Sequence, residues 1–326
     1  SGVLTLASSK IPTLGVGLVW RFMSGLSAGL VYPASVRLIS RLFDNDNSTT
    51  AMGVFMTSVS AGMIVCNSLV PLALVSVGWR DSLCMAGIAG IVGSVVPLLF
   101  RTTHLSEIQA LRRRTNVQGA GHISQELENE PHLPRIRIDG SKIAFWLTGC
   151  FGMWATTGSI PWLFGYLREA RGLSISLAGA VLTMFSCISV LGGPMAGILS
   201  RKIFHSRKQS ILVGLVCYAV ALIGLSVTKS LAALWILLSI LGFFVFFGDA
   251  PRNAMLAELA AKGSGGRMIG LSNTIWQGGL ILSPWVVGKV IALSGGRFDY
   301  ALISLAVAGI IGAVSASFIS ERGDAS

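Results

Sequence analysis

Apolar positions in this chain come in runs of roughly 18–25 residues separated by polar turns, long enough to cross ~30 Å of hydrocarbon at ~1.5 Å per helical residue. The pattern predicts membrane-spanning helices over Pro12–Ser35, Met52–Val77, Ser82–Leu99, Ile143–Leu167, Ser176–Leu199, Ile211–Thr228, Leu231–Asp249, Met268–Leu293 and Tyr300–Ile319. The opening SGVLTLASS is too short to span and reads as the tail of a tenth helix. One polar stretch interrupts the series. Residues 101–141 carry mixed charge, Gly and Pro, and predict a linker between two helical bundles.

Composition agrees with the pattern. Hydrophobic residues make up 52% of the 326 residues and charged ones 12%, with mean hydropathy +0.72. Soluble domains carry about 25% charged residues, so this chain has too little charge to clothe a surface in water. The fold class expected is an all-α membrane protein. The net charge of +11 does not point to nucleic acid, because the basic residues sit between spans and not along one stripe. Alternating the spans puts 17 basic residues on one side and 7 on the other, with Arg21 inside a span. Basic flanks favour the cytoplasmic side, so the expectation is a multi-pass protein of the cell membrane with its C-terminus cytoplasmic.

The five cysteines (Cys66, Cys84, Cys150, Cys187, Cys217) lie in apolar runs without metal spacing, and all four histidines lie in polar segments. They predict packing residues, no metal and no cofactor. No cluster of nucleophile, base or metal ligands occurs in the spans, so an enzyme is not expected.

The chain also repeats itself. Moving residues 25–80 forward by 217 positions places Gly25 on Gly242, Gly53 on Gly270, Gly62 on Gly279, Gly78 on Gly295 and Arg80 on Arg297, with loop lengths kept. The segment 12–100 therefore recurs as 229–319, with three more helices between the copies. Related bundles joined by a long linker are an arrangement of secondary transporters.

Particular stretches resemble the major facilitator superfamily. RFMSGLSAG (Arg21–Gly29) is similar to its fourth helix, GWRDSLCMAGIAG (Gly78–Gly90) to the start of its sixth, and YLREARGLSISLAGAVLTMFSCISVLGGPMAGILSRK (Tyr166–Lys202) to its seventh and eighth. GILSRKIFHSRK resembles the family's cytoplasmic loop motif through Gly197, Arg201, Lys202, Arg207 and Lys208. It departs from that motif with Arg201 in place of an acid and Phe204 in place of a glycine. Two readings of the loop stand open: a topological anchor, or a charged latch for one conformation. The resemblance implies two six-helix bundles, here nine complete helices plus a fragment of a tenth. Residues 1–100 would be a partial first bundle lacking about two and a half helices, and residues 142–326 a complete second one. It also implies a secondary transporter that moves a small, anionic organic solute by alternating access, working as a monomer among membrane lipid, with symport of a proton. A multidrug or metabolite efflux carrier and a non-transporting sensor are the alternatives. SAGMIVCNSLVP lacks the Gly-x-x-x-Gly-Pro of family antiporters, which favours uptake.

Ionisable groups in spans are costly, by roughly 2.5–3.5 kcal/mol on insertion scales, so each is a candidate. Arg21 is expected to meet an anionic substrate, or else to brace a neighbouring helix or snorkel outward. Asp249 and Arg252, three apart on one helical face at the inner end of their helix, fit a structural ion pair at a Pro251 kink better than a gate or proton site. Asn67, Trp154, Thr156, Thr157, Asn273, Trp276 and Gln277 are softer candidates for lining a substrate path, Asn273 and Gln277 sharing one face. Glycine pairs such as Gly25/Gly29 and Gly192/Gly193 predict close helix contacts.

Overall fold

A computed structural model describes residues 2–11, 13–29, 45–100, 138–204, 206–260 and 265–320. The described chain is helical throughout, and the order follows the apolar runs. The helices are α1 (Gly2–Ser8), α2 (Leu14–Gly29), α3 (Asn45–Ser76), α4 (Gly78–Phe100), α5 (Gly140–Ala155), α6 (Ile160–Gly165), α7 (Ile175–Lys202), α8 (Arg207–Val227), α9 (Leu231–Phe244), α10 (Asp249–Ala260), α11 (Gly265–Leu293) and α12 (Phe298–Ser317).

Local chemistry explains several starts. Ser174, Ser206 and Ser230 each precede a helix in extended conformation and accept from the backbone N–H of Leu177, Gln209 and Ala233. Asp139 does the same for α5, accepting from Lys142 N at 2.8 Å and binding the Lys142 ammonium at 2.7 Å. Each cap satisfies an N–H that the first helical turn leaves without a partner.

Among the described residues, six helices are long and apolar enough to cross a membrane: Thr57–Ser76, Ile175–Ser200, Arg207–Val227, Leu231–Leu256, Arg267–Leu293 and Phe298–Ser317. Each overlaps an expected span. Expected span Ser82–Leu99 falls within the 23-residue α4. Span Pro12–Ser35 is described only as far as Gly29, and most of the 101–141 linker lies outside the described residues. One departure is Ile143–Leu167. It is two short helices with a 3-10 turn at Thr157–Ser159 between them, followed by a π-turn at Tyr166–Ala170.

Two compact units result: residues 1–56 with 72–133, and residues 57–71 with 134–326. In the first, α1 lies against α4 with glycine at the contact. A Cβ on Gly87 would stand 2.6 Å from Leu6 N, and one on Gly2 2.8 Å from Ile91 N. In the second unit, Tyr166, Phe185, Tyr218, Leu222, Leu234, Leu238 and Leu305 form the buried centre. Its helices meet at small residues. A Cβ on Gly192 of α7 would collide with the carbonyl of Phe243, and one on Gly242 of α9 with the carbonyl of Phe185. In lipid no hydrophobic force separates helix from solvent, so backbones must approach closely to gain dispersion. Gly192 does what the sequence predicts. Gly193 and Gly25 do not, because a Cβ on either would meet no described atom within 4 Å.

Gly242→Leu is therefore expected to lower the melting midpoint of detergent-purified protein by the equivalent of about 1–3 kcal/mol of overpacking. Gly193→Ala, which adds a methyl in open space, should leave the midpoint unchanged or raise it slightly. A thermal melt of both variants beside the parent checks the pair.

Candidate functional site

Two of the spans in the second unit are broken inside their apolar runs. The first break follows Ala155. Pro161 brings no N–H and its ring collides with the carbonyl four residues back, while the Thr156 hydroxyl bonds Gly152 O at 2.9 Å alongside its own N–H. The carbonyls released by the break find partners on other helices. Ser283 of α11 donates to Trp154 O at 3.0 Å. Ser159 donates to Thr156 O at 2.6 Å, the Tyr218 hydroxyl of α8 lies 2.6 Å from the Ser159 hydroxyl, and Tyr218 also donates to Thr156 O at 3.3 Å. Tyr218 is wholly buried. Further on, the Tyr166 hydroxyl donates to Leu225 O at 2.7 Å and ties the π-turn to α8. Irregular backbone at membrane depth survives only when so satisfied.

The second break, at residues 245–248, separates α9 from α10. Phe247 N and Asp249 N bond carbonyls three residues back, at 3.2 Å each. Pro251 sits in the first turn of α10, where a missing N–H costs nothing. The expected kink is a full interruption, and it starts α10 at Asp249.

Arg252, one turn into α10, is buried, the only charged residue in that class among the described residues. Its Nη2 donates to Asp249 Oδ1. Its guanidinium lies over the indole of Trp276 on α11, 4.7 Å from the ring centroid, and Trp276 packs edge-on against Phe145 of α5 at 5.4 Å. Gly149 and Gly152 make the space. A Cβ on Gly149 would collide with Trp276 Nε1, and one on Gly152 would stand 3.5 Å from Arg252 Nη1. Arg252 Nε and Trp276 Nε1 are both buried without a hydrogen bond.

The other predicted residues scatter. Asn273 and Gln277 lie on an exposed face of α11, as does Thr274. Trp154 is half-buried, stacked on Phe151 at 6.2 Å, and it is its carbonyl that makes the long-range bond. Thr156 is buried and held to its own helix. Asn67 fastens two helices. Its Nδ2 donates to Ser186 Oγ at 2.8 Å and Leu182 O at 3.4 Å, and Ser68–Thr183 and Ser60–Ser189 contacts of 3.2 Å continue the seam between α3 and α7. Arg21 belongs to the first unit and is exposed on α2 beside the equally exposed Phe22. In the loop motif, Gly197 lies in α7, Lys202 ends it exposed, and Arg207 and Lys208 open α8 half-buried. The Arg201 side chain lies outside the described set.

Tyr218, Ser159 and Ser283 were not among the candidates. A lone tyrosine within the apolar run ILVGLVCYAVALIGL was the available signal, since a hydroxyl in hydrocarbon requires a partner.

A family model described as Major Facilitator Superfamily matches residues 1–284 and, separately, 145–325. The chain is similar to the probable galactarate/D-glucarate transporter GudP of Bacillus subtilis, 25% identical over 300 residues, covering 87% of this chain and 65% of that protein. The probable sulfoacetate transporter SauU of Cupriavidus necator is 22% identical over 328 residues, covering 98% and 76%. The chain thus spans 65% of the first relative's length and 76% of the second's. In fold it is similar to a bacterial homologue of the human lysosomal transporter Spinster, solved inward-facing and occupied. That match has a TM-score of 0.62 at 15% identity and covers 98% of this chain and 77% of the other.

Tyr218→Phe removes the hydroxyl that serves the first break, and should destabilise the protein by about 1–3 kcal/mol. Combined with Ser159→Ala, the loss should fall short of the sum of the two, because both belong to one network. A double-mutant cycle of detergent melts measures this.

Proposed function

The chain belongs to the major facilitator superfamily, and on that premise we propose that it acts as a secondary transporter of a small organic anion across the cell membrane by alternating access. Family membership and the apolar spans make it a multi-pass membrane protein, and the named relatives are transporters rather than enzymes. Galactarate, glucarate and sulfoacetate, the solutes in those names, are all small organic anions.

The observation that carries the reading is the uncovered amide pair Asn273 and Gln277. They lie roughly 12–18 Å along α11 from its start, within the apolar span Arg267–Leu293. Both are exposed. Amides facing hydrocarbon would lose their hydrogen bonds to no gain, whereas amides facing a solute path have hydroxyl and carboxylate groups to bind. Asp249 is the one carboxylate in the apolar span Leu231–Leu256, and so the group in that span available to a co-transported proton. The excess of basic residues on one side supports a cytoplasmic C-terminus.

Uptake of labelled D-glucarate or sulfoacetate into proteoliposomes is the expected activity. Asn273→Ala together with Gln277→Ala should raise the KM roughly fivefold or more, the worth of one or two hydrogen bonds. Uptake no faster than into protein-free liposomes, across a panel of organic anions, would refute the reading.

A further inference from the structure

Arg252 has recognition capacity that its partners leave unused. A guanidinium has five N–H donors and no acceptor. Here one of them, on Nη2, meets the Asp249 carboxylate. One face is covered by Trp276, and Nε is buried with no hydrogen bond at all. On α5, a Cβ added to Gly152 would stand 3.5 Å from Nη1.

Depth makes that arrangement expensive. Arg252 stands four residues, ~6 Å, inside the end of the apolar span Leu231–Leu256, and its guanidinium packs against Gly152 and Trp276 of α5 and α11. Side chains on a helix lean toward its N-terminus, so Arg252 reaches back from α10 toward the break and the middle of the bilayer. Buried cations at such depth mark ligand paths when their partners do not fill their donors.

The pair is also lopsided. The Arg252 side chain is 8% exposed and that of Asp249 36%. The cation is enclosed by Trp276 and Gly152, while the carboxylate, paired with Arg252, is partly exposed. An arriving group would meet the position of Asp249 first.

We infer that Arg252, held flat against Trp276, is the anchor for an oxyanion group of the transported solute, with Asp249 as an internal carboxylate that occupies the guanidinium until the solute's own oxyanion replaces it. The inference rests on the transporter reading and assigns it a residue and a charge. Carboxylate, sulfonate and phosphate groups fit, since each offers paired oxygens to a planar fork. A neutral polyol does not, because a hydroxyl cannot displace a carboxylate from a cation. Lysine at the same position would keep the charge and lose both the fork and the stacking.

The experiment is ligand binding to the purified protein, read as thermal stabilisation and as a Kd, with D-glucarate, sulfoacetate and uncharged sorbitol as probes. Both anions should bind and sorbitol should not. Arg252→Lys should weaken D-glucarate by about tenfold or more. Asp249→Asn should tighten it severalfold, because the internal competitor is gone. Opposite signs at adjacent partners are the signature, since a merely structural pair would lose stability in both variants with no gain in affinity. If either single variant fails to fold, Asp249→Asn combined with Arg252→Gln removes both charges together and should fold and bind neither anion. Wild-type binding of D-glucarate with unchanged affinity in the charge variants would overturn the inference and leave the transporter reading standing. Absence of both binding and uptake of every anion by the wild-type protein would defeat the transporter reading itself.

Discussion

Inside a bilayer there is no water to hydrogen-bond a backbone carbonyl, and the second unit is organised around that deficit. Continuous helices meet it within themselves. The two interruptions, after Ala155 and after Phe244, do not, so each needs outside help. At the first, Tyr218, Ser159 and Ser283 take the carbonyls of Thr156 and Trp154. At the second, turn bonds three residues back close the gap before Asp249. These hydroxyls do more than fill valences. They fix the direction in which α6 leaves its break.

Close approach of backbones is the second condition. Gly192 and Gly242 let α7 and α9 cross carbonyl against α-carbon, and Gly279 does the same for α11 against Cys150 of α5. The indole of Trp276 fits only because Gly149 has no side chain, and the guanidinium of Arg252 fits only because that indole lies beneath it. A packing rule for helices in lipid thereby becomes the platform of a charged site. The ordinary expectation for a buried ion pair is that both members are enclosed and fully bonded. The pair here is enclosed at one end, open at the other, and short of acceptors.

Asn67 shows the other use of polar groups in lipid. Its amide, with Ser60 and Ser68, runs a seam of contacts to Ser186, Thr183 and Ser189 along α7. Those donors are engaged within the protein, whereas Asn273 and Gln277 stand uncovered. The same residue type is thus a fastener in one helix and an open surface in another, and burial alone separates the two.

Much of this was legible from local chemistry. The length of apolar runs determines spans because hydrocarbon thickness is a fixed external ruler. Serine before an apolar run determines a helix start, as at Ser174, Ser206 and Ser230. The repeated Gly-x-Arg turn determines a left-handed residue, found at Gly78 with φ 82° and Gly295 with φ 71°. Pro251 announces an interruption because proline's missing donor acts within one turn. What the tertiary structure decided is which polar groups are left over. Asn67 looked free until Ser186, 119 residues away, took its amide. Arg252 looked paired until Trp276 and Gly152 closed around it from helices far along the chain, and Arg21, the prominent cation of the sequence, came to lie exposed on α2. A residue's neighbours four positions away follow from helical geometry. Its neighbours on another helix follow from packing, and no local pattern encodes them.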